Sequence, residues 1–313
     1  MKIVFLGTPA IAATCLEAIH QSGRHRILAV GTHPDRPQKR GLHLLPTAVK
    51  ETALRLGLPV VEVPDAKDPA FAKALRSLDA DLLVVVAFVI LPPEVLASTR
   101  LGAVNLHGSL LPRWRGAAPV QRSVEAGETV TGATVFRLDS GVDTGGIVAT
   151  QSVQVGPDET SGEVLGRMAA LGGDLLLKAL DHLESHPDDR GLAQDPALVC
   201  KAPKLFPEEG RIDWSLPARR IHDKIRAFNP APGAWTRPDG KLLKIWKTHV
   251  LTDSVQAPAG QAVRIADGRV VAGCAEGALE LVEVQPEGRA RQAGRDWFNG
   301  LRSPGPEIGR AHV

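Results

Sequence analysis

An α/β fold is predicted for most of this sequence, a twisted, mostly parallel sheet, with a small β-barrel to follow. Three observations carry that expectation. Short apolar, β-branched runs alternate with helical patterns from residue 3 to residue 106, the order that builds a parallel sheet. The run L-L-V-V-V at 82–86 holds no polar residue, as in a strand covered on both faces. Beyond residue 211 the pattern changes to short strands separated by glycines, which suits a small barrel. The expected division is a Rossmann-like domain over 1–188, a linker over 189–207 and a barrel domain over 208–313.

The elements follow in order. Residues 3–6 form a strand, Gly7-Thr8-Pro9 a tight turn, and an Ala-rich pattern runs as a helix to His20. The turn has one glycine where a dinucleotide fingerprint needs three, which argues against NAD or FAD. Gly7 still allows a ligand close to the backbone. A strand at 27–30 leads into the polar loop H-P-D-R-P-Q-K-R-G, with the basic residues Arg36, Lys39 and Arg40. That loop exceeds the usual 2–6 residues of such a connection and is expected as an exposed basic flap.

A helix at 47–56 is capped by Thr47 and stopped by Gly57; a strand at 60–63 and a helix at 68–78 come next. After the buried strand at 82–86, Pro92-Pro93 opens a short helix, and a fifth strand covers 103–106. A helix at 118–126 precedes two alternating segments, 129–138 and 145–155, read as an antiparallel hairpin. A long helix at 161–183 and a polar connector at 186–195 close this part. The last part reads as a helix at 216–228, the crossing N-P-A-P-G-A-W, and strands at 242–250, 262–266, 270–274 and 279–284. The tail beyond Arg302, with Pro304, Gly305 and Pro306, is expected to be loose.

Composition narrows the classes. The net charge of +2 does not announce a nucleic-acid binder over the whole chain. Residues 211–247 nevertheless carry nine Lys or Arg against three Asp or Glu, a balance of 9 − 3 = +6. Cys15, Cys200 and Cys274 are far apart without metal or disulfide spacing, as expected in a reducing compartment. No apolar run reaches the length of a membrane span, so a cytoplasmic protein without a membrane partner is expected. No heptad seam argues for a coiled-coil dimer, and a monomer is expected.

The chemistry concentrates between Asn105 and Asp143. Asn105 and His107 are two apart at a strand's carboxyl end and so share one face. Asp143 lies in the loop S-G-V-D-T-G-G. An Asn amide can donate to a developing oxyanion, an effect worth about 2.7–4 kcal/mol in comparable sites. An imidazole and a carboxylate can move a proton, typically for about 10²–10⁴-fold in rate. An attacking α-amine titrates near ~7.7–8.0, so a modest base suffices. No cluster has metal spacing and no G-x-S-x-G marks a serine nucleophile. Taken singly, each group also has a structural explanation: a turn at a strand end for N-x-H, an Asx-turn for Asp143.

The run N-L-H-G-S-L-L-P-R-W-R-G-A-A-P-V-Q, followed by D-S-G-V-D-T-G, resembles the signature of the folate-dependent formyltransferases. Further marks are F-L-G-T-P-A at the start, the D-R-P-Q-K-R-G loop, D-E-T-S-G-E at 158–163, and R-I-D-W with I-R-A-F-N-P. The resemblance covers nearly the whole chain, and its strand-rich end is similar to that family's OB-like barrel. It implies transfer of the formyl group of 10-formyltetrahydrofolate to the α-amine of methionyl-initiator tRNA. It implies Asn105, His107 and Asp143 as the catalytic trio. Ser109, Leu110, Leu111 and Pro112 match the folate-contacting turn, and Phe88, Ile90 and Leu91 the loop beside the folate ring. Arg40 matches an arginine used on the tRNA acceptor end. Its loop neighbours Arg36 and Lys39, with Arg219, Lys224, Lys244 and Lys247 of the +6 stretch, complete the expected tRNA contacts.

Two departures stand out. The family carries A-Y-G, an apolar pair and L-P where this chain has the shorter A-F-V-I-L-P at 87–92. After Arg40-Gly41 it carries further lysines where Leu42 and His43 stand here. A sugar-nucleotide N-formyltransferase would share the trio, and relatives of that kind generally lack the D-R-P-x-x-R-G loop. A glycinamide-ribonucleotide enzyme would normally end before the barrel. A non-catalytic tRNA- or folate-binding relative would not need an intact trio.

Overall fold

The structure, a computed structural model, describes residues 1–38, 43–251, 257–301 and 307–308. Contacts divide the chain into two units. One comprises Met1–Pro119, Val130–Val153 and Leu165–Ala202; the other comprises Val120–Thr129, Gln154–Val164 and Pro203–Val313.

The elements begin with β1 (Lys2–Gly7), α1 (Ala10–Ser22), β2 (Arg26–Thr32), β3 (Arg36–Gln38), β4 (His43–Leu45), α2 (Ala48–Arg55) and β5 (Val60–Glu62). They continue with α3 (Pro69–Ser77), β6 (Leu82–Val86), α4 (Pro93–Leu96), β7 (Ala103–His107), β8 (Arg115–Gly116) and α5 (Pro119–Glu125). Then come β9 (Val130–Arg137), β10 (Ile147–Gln154), α6 (Ser161–Ser185) and β11 (Lys201–Ala202). The main sheet has seven strands in the order β10-β9-β7-β6-β1-β2-β5. The ladders from β7 to β5 are parallel, and β9 joins β7 antiparallel. The Rossmann-like expectation and the hairpin at its edge are both met.

Sequence explains the layering. Every residue of β6 is buried. Val4, Leu6, Leu83, Val85 and Ala103 pack on one face with Phe71, Ala72 and Leu75 of α3 and Val95 of α4. On the other side α6 comes close enough to require glycines. A Cβ on Gly172 would meet Leu106 Cδ2 at 2.7 Å, and one on Gly173 would meet the Ala18 Cβ at 2.6 Å. Thr47 caps α2 by accepting from the Lys50 N–H at 3.1 Å, and Asp68 caps α3 by accepting from Ala70 at 2.8 Å. The loop read as a plain flap contains the antiparallel pair β3–β4. A ladder of three residues is below what periodicity can show.

The second unit holds α7 (Ala218–Ala227), β12 (Ala234–Thr236), β13 (Leu243–Leu251), β14 (Ala262–Arg264), β15 (Val270–Gly273), β16 (Ala278–Pro286), β17 (Gln292–Ala293) and α8 (Gly294–Asn299). Its antiparallel sheet runs β12-β13-β16-β15-β14, with β17 on β16. Trp214 and Phe228 are fully buried in its core. The expected barrel is only barrel-like: among the described residues no ladder joins the outer strands β12 and β14, so the sheet is not closed.

Candidate active site

The carboxyl end of β7 presents Asn105 and His107 on the face that carries Ala103. His107 is 6 % exposed and stands edge-on to Phe136, with ring centroids 6.3 Å apart. Its Nε2 lies 2.8 Å from the Trp114 carbonyl oxygen. A carbonyl only accepts, so Nε2 carries the hydrogen and donates. That leaves Nδ1 as the exchangeable position, and it faces Asp143 Oδ2 at 3.7 Å.

Asp143 adopts φ +54°, a left-handed conformation that few side chains take. Three contacts hold it there. Oδ2 accepts from the Gly116 N–H at 2.8 Å. Gln194 Nε2 donates to the carbonyls of Asp143 at 2.9 Å and Gly145 at 2.8 Å. Gln194 Oε1 in turn accepts from Arg115 Nε at 3.0 Å and Nη2 at 2.7 Å. Earlier in the same loop, Asp139 accepts from the Gly141 N–H at 2.9 Å and the Thr144 hydroxyl at 2.6 Å. Gln194 lies in the polar segment 186–195, where nothing in the sequence marks it for a role. Its only signal was proximity to the short β8–β11 pair, which is not visible in sequence.

Asn105 makes no side-chain hydrogen bond among the described residues, and its Oδ1 is buried without a partner. Leaving such a buried acceptor unpaired costs about 1–3 kcal/mol. The next turn is braced from within. Thr134 Oγ1 donates to the Ser109 carbonyl at 2.7 Å and accepts from the Leu111 N–H at 3.1 Å. The Ser109 hydroxyl is fully buried and donates to the Arg113 carbonyl at 2.6 Å. Leu111 and Pro112 are buried and Leu110 is half-buried.

In the loop after β6, Ala87 takes φ +48°, Phe88 is half-buried, Ile90 is 78 % exposed and Leu91 is buried in the core. The Phe88 ring stacks on His33, with centroids 5.1 Å apart and planes at 27°. Ile90 is an exposed apolar side chain, as is Val142, the residue before Asp143 in the chain.

Of the basic candidates, Lys39 and Arg40 lie outside the described residues, and only the backbone of Arg36 is described. In the second unit Arg219 is exposed and pairs with Asp223 at 3.3 Å; Lys247 is exposed. Lys224 donates to the Arg211 carbonyl at 3.3 Å and Lys244 to the Pro232 carbonyl at 3.1 Å. One charge in the +6 count is internal: Arg226 is 3 % exposed and bound to Asp223 Oδ1 at 2.7 Å.

His25, Asp181 and Glu184 also gather within metal-binding distance, inside 4.8 Å of one another. Cations of the chain already engage both carboxylates. The Met1 ammonium lies 2.6 Å from Glu184, and Arg24 pairs with Asp181.

The chain matches two family models. Residues 1–180 match the formyl transferase model and residues 204–302 the model of the formyl transferase C-terminal domain. It is 41% identical over 312 residues to a methionyl-tRNA formyltransferase of Methylococcus capsulatus, covering 99% of this chain and 100% of that one. In fold it is similar to HypX from Aquifex aeolicus, solved with tetrahydrofolic acid. The TM-score is 0.66 at 16% identity, over 95% of this chain and 47% of that one. It is also similar to an N-formyltransferase from Helicobacter canadensis, solved with folinic acid and dTDP-3-aminofucose. There the TM-score is 0.65 at 16% identity, over 91% of this chain and 99% of that one.

Proposed function

We infer the activity of this chain from one premise: it belongs to the formyl transferase family. It transfers the formyl group of 10-formyltetrahydrofolate to the α-amino group of methionyl-initiator tRNA. The product is N-formylmethionyl-tRNA, used in translation initiation. The observation that carries this choice of acceptor is 41% identity to a methionyl-tRNA formyltransferase across 99% of the chain. Identity to the enzyme solved with an aminosugar nucleotide is 16%, a likeness of fold that leaves substrate open.

The site residues take these roles. The amine attacks the formyl carbon, a C–N bond forms, and the carbonyl oxygen takes up the electron pair. Asn105 donates to that oxygen through its side-chain Nδ2. The bond from the formyl carbon to the donor nitrogen then breaks. The amine has lost a proton and the leaving nitrogen gains one. The His107–Asp143 pair holds the proton in between, with Nδ1 as the histidine position, since Nε2 is committed to the Trp114 carbonyl. No metal is required.

Phe88, Ile90, Leu91 and the 109–112 turn are assigned to the formyl donor. The division of labour puts chemistry in 1–188 and tRNA contact in 208–313, joined by 189–207. The exposed Arg219 and Lys247 lead that contact, with Lys224 and Lys244 nearby in sequence and Arg36, Lys39 and Arg40 in the flap. A monomer in the cytoplasm completes the proposal. Among the described residues no helix is long and apolar enough to cross a membrane.

Single-turnover formylation of methionyl-tRNA tests the reading. His107→Ala and Asp143→Ala are each expected to slow the step by about 10²–10⁴-fold. Wild-type rates in both variants would show the trio to be misassigned. Equal rates on initiator and elongator methionyl-tRNA, or activity only on an aminosugar nucleotide, would remove the initiator assignment.

A further inference from the structure

Among the described residues, three buried side-chain polar atoms have no hydrogen-bond partner: Thr8 Oγ1, His33 Nδ1 and Asn105 Oδ1. They are scattered in sequence, yet the sheet brings them to one edge. Gly7 pairs with Val86 and Leu6 with Gly31. Thr8 therefore follows the end of β1 beside Ala87 on one flank and His33 on the other. Val86 pairs with Leu106, which puts Ala87 beside His107. The edge thus reads His107, Ala87, Thr8, His33 across four neighbouring strands, with Asn105 two residues inside β7. Orphaned buried polar atoms are rare in folded proteins, and a cluster of them at one sheet edge points to a bound water or ligand there.

The two ends of this row differ in chemistry. Asn105 and His107 lie in β7, and the loops after β6 and β9 carry the exposed apolar Ile90 and Val142. Two and three strands away, Thr8 and His33 offer a hydroxyl and an imidazole nitrogen. The His33 ring is held by stacking on Phe88, so Nδ1 has a fixed direction. A hydroxyl that both donates and accepts satisfies such a pair.

We propose that Thr8 and His33 form the subsite for the terminal ribose of the acceptor. They bind the hydroxyl that neighbours the aminoacyl ester and so aim the amine at His107. This rests on the aminoacyl-tRNA reading given above. The dimensions agree. Thr8 stands two strand spacings from His107, about 10 Å at ~4.8 Å each. From the reacting nitrogen through the ester to the neighbouring ribose hydroxyl there are about six bonds, ~7 Å when extended. A hydrogen bond adds about 2.8 Å.

The test uses the full chain with both substrates varied in steady state. Thr8→Val and His33→Phe remove the polar atoms and keep shape, the second also keeping an aromatic ring against Phe88. Each is expected to lower kcat/KM for methionyl-tRNA about tenfold, with KM for 10-formyltetrahydrofolate and the melting temperature unchanged. Methionyl-tRNA with a 2′-deoxy terminal ribose is expected to cost the wild type a similar factor and the variants nothing further. The inference is overturned if the variants match wild type, if the loss appears in KM for the formyl donor, or if the deoxy penalty persists in full in the variants. A wild-type protein that turns over no methionyl-tRNA overturns the proposed function and this subsite with it. Normal wild-type turnover with unaffected variants overturns the subsite alone.

Discussion

Gln194→Ala is the sharpest test of how the Asp143 loop is held. The Gln194 amide donates to the Asp143 and Gly145 carbonyls at 2.9 and 2.8 Å and accepts twice from Arg115. Truncation removes two neutral bonds of about 0.5–1.5 kcal/mol each and leaves the Arg115 fork without this acceptor. Gln194 is half-buried, so water recovers part of the loss, and a net cost of about 1–3 kcal/mol is expected. The kinetic effect is expected to be larger in proportion. A misplacement of ~1 Å at a reacting group can cost about 10²-fold, and the carboxylate stands only 3.7 Å from His107 Nδ1. Single-turnover rate is expected to fall about 10–100-fold. Gln194→Glu separates the two functions. It keeps an acceptor for Arg115 but turns an acceptor toward two carbonyls. It should melt closer to wild type than the alanine variant while losing the same rate. Wild-type turnover in both variants would refute the idea that this connector positions Asp143.

Three further outcomes are expected. Gly116 sits at φ +126°, where a Cβ would meet the Ala202 carbonyl oxygen at 2.6 Å, and its N–H holds Asp143 at 2.8 Å. Gly116→Ala should cost about 1–3 kcal/mol of strain and also lower turnover. Gly102→Ala, at φ +71° with its nearest neighbour 3.8 Å away, should lose stability and keep its rate, as thermal melts and single-turnover assays will show. His222 in the second unit is 2 % exposed, and burial holds its pKa below the ordinary value. The unfolded chain then binds the proton more readily, so the stabilisation is present above the ordinary histidine pKa and is lost as pH falls toward the lowered one. Melting between pH 7.5 and 5 should therefore drop for wild type and fall less steeply for His222→Gln; equal slopes would count against it.

The long alternating elements were legible because each repeats its own period. The run at 82–86 is a fully buried strand, and Thr47 is the cap it was read to be. What escaped notice was short and paired at long range. The β3–β4 and β8–β11 ladders, β12, β17 and α8 hold two to six residues each, too few to establish a period. The +6 balance was legible as a count, and it survives the burial of Arg226 because its partner Asp223 is buried with it: 8 − 2 = +6. Composition does not register which charges are paired inside.

Sequence alone determined which groups this protein brings to its chemistry. The spacing of Asn105 and His107 on one strand puts them on one face, because side-chain direction alternates with period two. The tertiary structure decided how those groups are committed. A carbonyl seven residues along the chain from His107 selects its tautomer. A glutamine 51 residues away carries the Asp143 loop. Parallel register alone lines up Thr8, His33 and Asn105, which among the described residues carry the three buried side-chain polar atoms without partners. Such commitments depend on which strands pair and in what register. That is set by burying the whole sheet at once, and no local stretch of sequence encodes it.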